Sequence, residues 1–182
     1  MAPLLSLIQQ QEIKTISPNW AKKVKEATGK SNYDQLAEEV EETKLAPLMG
    51  IALFQDVQDN PTTTENALIL GGGTFADCRG NTVKFKGARY ILAYMNYSQI
   101  VAESYVADTY TGFVKKDRSE SEGLSSSERK ELKINAQDIA MAQWDLLKQF
   151  LNENSDDYPL WSCTISRRPY RPKLTGVKRT IN

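Results

Sequence analysis

Residues 87–105, GARYILAYMNYSQIVAESY, constrain the fold more than any other part of the chain. At helical spacing, Ala88, Ile91, Leu92, Met95, Ala102 and Tyr105 form one apolar stripe, and Tyr90, Tyr94, Tyr97 and Val101 form a second. A helix apolar on two sides has to be covered on two sides, either within its own monomer or by a neighbour. With 182 residues, 40% of them apolar, the chain has material for one such core, so one compact domain with arms is expected.

The remaining segments fit around that helix. Residues 1–17 mix an apolar start with a glutamine run and read as an extended arm. Pro18 suits the first turn of a short helix stopped by Gly29. In SNYDQLAEEVEETK, Tyr33, Leu36, Ala37 and Val40 share one helical face, opposite glutamates. The pattern restarts at Pro47 with Leu48, Ile51, Ala52 and Val57, which suggests a helical hairpin with a tight joint. NPTTTEN reads as a polar loop. Residues 74–77 and 82–85 flank a turn of Arg79, Gly80 and Asn81, the composition of a short β-hairpin. Residues 108–124 have no helical period and read as an extended loop. Ser125 and Glu128 have capping-box spacing ahead of a long helix, whose inner face carries Leu132, Ala136, Ile139, Ala140, Leu147, Phe150 and Leu151, with Trp144 beside them. From residue 156 onward three prolines and no period indicate a second extended arm.

Charge divides the chain. The 23 basic and 23 acidic residues cancel overall, which leaves no global field to draw the molecule onto nucleic acid or a membrane. From Tyr158 to the last residue, however, there are six basic side chains and no acidic one, so a basic arm follows an acidic body. Cys78 and Cys163, far apart in sequence, are expected to be reduced thiols. The opening residues lack a secretory-signal pattern and no apolar run is long enough to span a bilayer, so a soluble protein is expected. Histidine is absent, which removes the usual general base near neutral pH, the usual zinc ligand and every Ser/His or Cys/His pair.

Four motifs suggest chemistry and each has a plainer explanation. LILGGGTF reads at first like a strand entering a phosphate-binding glycine loop. The spacing of Gly71, Gly72 and Gly73 is not G-x-G-x-x-G, and a hairpin signal follows instead of a helix, so no nucleotide loop is expected there. ATGKS at 27–31 ends like a P-loop but lacks the first glycine and the strand. Asp117, Ser119, Ser121, Ser125 and Glu128 fall on EF-hand positions, yet Gly123 is one place late and no helix leads in. SERK has the S-x-x-K spacing of penicillin-recognising enzymes without their companion motifs, at a helix start where capping accounts for it. No catalytic residue, cofactor or metal site is expected.

The arm is more informative. Arg167, Arg168, Arg171 and Lys173 surround Pro169, Tyr170 and Pro172, a stiff cationic and aromatic segment suited to a partner. Trp161 adds an anchor, since solvated tails are usually poor in large aromatics. Trp161, Arg167, Arg168, Tyr170, Arg171 and Lys173 are therefore the candidate partner-binding residues. Tyr90, Tyr94, Tyr97, Val101 and Phe113 are the candidates for contacts between subunits.

The order of features, LAPLMGIALFQDV, then TFADCRGNTVKFKG, GARYILAYMNYSQIV, TGFVKK and NAQDIAMAQWDLLKQFL, resembles that of the head–tail connector proteins of tailed bacteriophages, in particular the branch in Bacteroides and crAss-like phages. The likeness covers roughly residues 31–152 and lies in order and spacing. It implies a non-enzymatic subunit of a ring, commonly twelve-fold, in the virion neck, assembled in the bacterial cytoplasm. Such a ring joins a portal protein to a tail or second connector protein, with packaged DNA possible in the lumen and no membrane. It also implies that Gly50 and residues 45–57 belong to the bundle core, and that the hairpin and the extended loop touch neighbouring rings. The expected fold is thus mainly α, a small helical bundle with a short β-hairpin and extended N- and C-terminal arms: arm 1–17, core 18–155 with hairpin 74–85 and loop 108–124, basic arm 156–182. The other reading is a small nucleic-acid-binding protein that uses the basic C-terminal arm.

Overall fold

The computed structural model describes residues 3–24, 28–103, 106–109, 112–115 and 125–162, with backbone only at 18, 19, 103, 106–109, 112–115 and 162. It is mainly helical, as expected. The first helix stands where an extended arm was expected. Ser6 caps α1 (Leu7–Ile13): its hydroxyl accepts from the Gln9 N–H and the Gln9 side chain accepts from the Ser6 N–H. Leu5, Gln10 and Ile16 are buried, so residues 3–16 form a strap on the core, not an extended arm. The apolar run that opens the chain is long enough to bury, and burial offsets the entropy of ordering it.

After α2 (Pro18–Ala21), Ser31 caps α3 (Asn32–Val40) through the Asp34 N–H. A π-helical turn, Glu41–Leu45, leads into α4 (Ala46–Met49). The helical run thus continues through Pro47, where a restart was expected, and the joint falls instead at Gly50, whose φ of 83° breaks the helix before α5 (Ile51–Asp59). Thr63 caps α6 (Thr64–Gly71), so half of the expected polar loop is helix, and Leu68, Ile69 and Leu70 are helical too. Asn66, buried inside the first turn, fastens it by donating to the Asp56 carbonyl, the Asp56 carboxylate and the Asn60 carbonyl.

The hairpin lies as expected. Strands β1 (Gly73–Ala76) and β2 (Thr82–Phe85) pair antiparallel from Gly73 opposite Phe85 to Ala76 opposite Thr82. Asp77 closes the turn by accepting from the Arg79 and Asn81 N–H groups, and the Asn81 bonds hold its carboxyl below the usual range. Helix α7 (Gly87–Glu103) then runs through the molecule. Overlapping the start of the segment read as extended, β3 (Val106–Thr109) and β4 (Gly112–Lys115) form a second antiparallel pair. The predicted Ser125 and Glu128 capping box opens α8 (Ser126–Glu153), and α9 (Pro159–Ser162) folds back on the bundle.

Two glycines explain how the hairpin joins α6 to α7. Gly72 (φ 83°) and Gly87 (φ 74°) cross in direct backbone contact. A Cβ at Gly72 would run into the Phe85 carbonyl and the backbone of Lys86 and Gly87; one at Gly87 would meet Leu70 and Gly72. The glycine run is a crossing point of two chain segments.

Helices α7 and α8 pack along each other, with α6 and α3 also against α7. At one end of the core lies an aromatic cluster. Phe85 stacks on Phe150 at 4.5 Å, Phe75 meets both edge-on, and Tyr158 meets Phe150 at 5.5 Å. Among the described residues, no helix is long and apolar enough to cross a membrane.

Candidate interaction surface

The second stripe of α7 is largely dressed by the chain itself. Tyr90, Tyr94, Tyr97 and Val101 lie together, each half-buried. The Tyr90 and Tyr94 rings are 4.9 Å apart. Lys86 stands 4.2 Å above the Tyr90 ring, and Lys14, at the end of the strap, stands 4.4 Å above Tyr97 and 5.9 Å from Tyr94. Cation–π contacts of this kind contribute about 0.5–1 kcal/mol at exposed sites. The face therefore presents alternating aromatic rings and ammonium groups. The side chain of Phe113 lies outside the described residues; its backbone pairs with Asp108.

The strap is held by a polar centre that periodicity did not reveal. Glu41, in the π-helical turn, is 2% exposed, and its carboxylate accepts from the Leu4 N–H at 2.8 Å. Arg89 donates to the Leu4 carbonyl at 3.3 Å, so helices on two sides grip one residue of the strap. The Tyr33 hydroxyl donates to the Leu5 carbonyl, and the Gln10 amide donates to the carbonyls of Ala93 and Lys14. Asn96 donates to Gln10 and Tyr33, while its own Oδ1 is buried with no partner among the described residues. Burial pushes the Glu41 carboxyl up to about 7, against the opposing pull of the Leu4 and Leu5 N–H groups. Glu41 is one of several glutamates in EEVEET, and only tertiary packing singles it out.

Trp161 does not serve as an external anchor. It is 3% exposed, meets Trp144 edge-on at 6.0 Å and donates its indole N–H to Asn152 at 2.8 Å. Tyr158 is also buried, donates to the Glu65 carbonyl, and is pushed up to about 12 by burial. The expected arm from residue 156 is corrected accordingly: residues 156–162 belong to the fold. Arg167, Arg168, Tyr170, Arg171 and Lys173 lie outside the described residues, as does Cys163, whereas Cys78 is an exposed free thiol.

The start of α8 is open. No residue from 126 to 135 is buried, and Ile134 and Met141, 45% and 41% exposed, stand two turns apart. At 1.5 Å per residue α8 is about 42 Å long and α7 about 25 Å, so α8 extends past its partner helix.

A family of unknown function, DUF6712, matches residues 45–171. The chain belongs to that family. The DUF6712 region begins within the π-helical turn and takes in α4 to α9, both hairpins and the whole of α8. The strap and α3 precede it and pack onto it through α7. No curated protein and no solved structure matches the chain.

Proposed function

We propose that this DUF6712 protein is a structural subunit of a bacteriophage virion, a head–tail connector that forms a homo-oligomeric ring between portal and tail. The observation that carries the reading is the exposure along α8: from Ala136 onward one face is the spine of a small bundle, residues 126–135 bury no side chain, and exposed Ile134 is followed two turns later by exposed Met141. A helix apolar on a face its own monomer leaves open is suited to a neighbour. The connector-like order of helices and hairpin supports the reading of that neighbour as a second copy or the portal. Assembly then proceeds by docking rigid bundles through their projecting parts, and the basic residues after 162 add a segment that pairs with protein or packaged DNA. Mixing the purified full chain with portal rings and imaging by negative stain tests this: added density of ring symmetry is expected. Portal rings that never retain the protein would refute the connector reading.

A further inference from the structure

Beside the glycine crossing, the strap and the start of α7 enclose an open cleft of about 580 Å³. Three cations line it from different places in the chain: Lys84 on β2, Lys86 at the joint, and Arg89 on α7. Glu12 is the one carboxylate in its lining. None of the three cations forms an ion pair among the described residues, although acidic and basic residues are equal in number in the whole chain. Two of them are nonetheless positioned, while Lys84 is exposed on its strand. Lys86 is set on the Tyr90 ring, and Arg89 spends only its Nε on Leu4, which leaves the rest of its guanidinium fork available. The floor is glycine backbone at Gly71–Gly73, and a side chain at Gly71 would meet no protein atom, so a bulky tetrahedral group can approach the main chain there.

We propose that this cleft is an anion site for a phosphate-bearing ligand, either the backbone of a nucleic acid or a free polyphosphate. Convergent unpaired cations attract any anion. Phosphate is favoured over a carboxylate chain because it offers several oxygens from one centre to three cations of different reach, and because the bare glycine floor accommodates its bulk. The described residues of the site, from Gln9 to Tyr90, all precede the basic C-terminal segment in sequence.

The test uses the full chain, a labelled twelve-nucleotide oligothymidylate followed by anisotropy, and inorganic triphosphate followed by calorimetry. Lys84→Gln with Lys86→Gln is compared with Lys178→Gln with Arg179→Gln, after unfolding midpoints show that both variants are folded. The cleft variant should bind the responsive probe at least tenfold more weakly, while the tail variant keeps cleft binding of triphosphate. A response to triphosphate alone marks a free polyphosphate site, and a stronger response to the oligonucleotide marks a nucleic-acid backbone. For the oligonucleotide, loss of two phosphate contacts should also make log K less steep in log salt by about 1.4. Equal affinity of the cleft variant and the wild type would overturn the proposal. So would failure of the wild type to bind either probe, or equal competition by polyglutamate.

Discussion

From residue 126 to 135, α8 has no buried side chain, whereas from Ala136 onward the same helix buries Ala140, Trp144, Leu147, Phe150 and Leu151. Both halves come from one capped, uninterrupted helical pattern, and Leu132 and Ile139 continue the apolar face towards the start. Periodicity therefore shows which face of a helix needs covering, while the elements that cover it are set by tertiary structure. The second half is covered by α7, β2 and, through Trp161, by α9. The first half has no such cover among the described residues.

The largest effect should come from uncovering the buried half. Trp161→Ala removes the ring against Trp144 and the bond to Asn152, and should cost about 3–5 kcal/mol in chemical unfolding. For the same reason a chain cut before Tyr158 should lose core packing. A loss under 1 kcal/mol for Trp161→Ala would mean that α9 is an appendage.

Glu41 should give the next largest effect, with a characteristic sign. Its folded-state carboxyl is raised to about 7 from an unfolded value near 4.5, so in that window the folded state holds the extra proton. Its stabilising contribution is complete below about 4.5 and is lost as pH rises through about 7, by on the order of 3 kcal/mol at most. The groups that bear on Glu41 are Glu38 and Tyr33 on α3, Gln58 on α5, and the Leu4 and Leu5 N–H groups of the strap. Glu41→Gln should flatten this slope and be more stable than wild type at pH 8. Parallel stability curves for the two proteins between pH 5 and 8 would contradict the burial of a strained carboxylate.

Ser125→Ala should cost about 1 kcal/mol through loss of the bond to the Glu128 N–H, if the exposed half of α8 is helical before docking. No change in stability or helix content would mean that this half gains its helix only on assembly. Smallest of all, Ile134→Ser should shift the stability of the free chain by no more than about 0.5 kcal/mol, as measured by thermal unfolding.

The hairpin turn, the two-sided α7 and the Ser125 capping box were legible because each depends on residues close in sequence. Helix α1 carried the same local signal, Ser6 with Gln9 three places on, but the glutamine run and nearby Pro18 obscured it. At Leu68–Gly73, apolar residues ahead of glycines suit a strand entry and a helix end alike; Thr63 as cap and Asn66 as brace decide for the helix. Trp161 looked available because its neighbours in sequence are arm-like, whereas Trp144 and Asn152, its neighbours in space, lie on α8. Glu41 and the cationic cleft gather residues from both sides of the chain, so no single stretch announces them.

The most direct measurement is the mass of the purified full chain, alone and with portal rings, by analytical ultracentrifugation, comparing wild type with Ile134→Glu combined with Met141→Glu. If the exposed face of α8 that carries Ile134 and Met141 is the assembly surface, the wild type forms rings or joins the portal. The double variant then remains monomeric with an unchanged unfolding midpoint. Equal assembly by both proteins would remove α8 from the interface, and a wild type that stays monomeric with and without the portal would contradict the connector account itself.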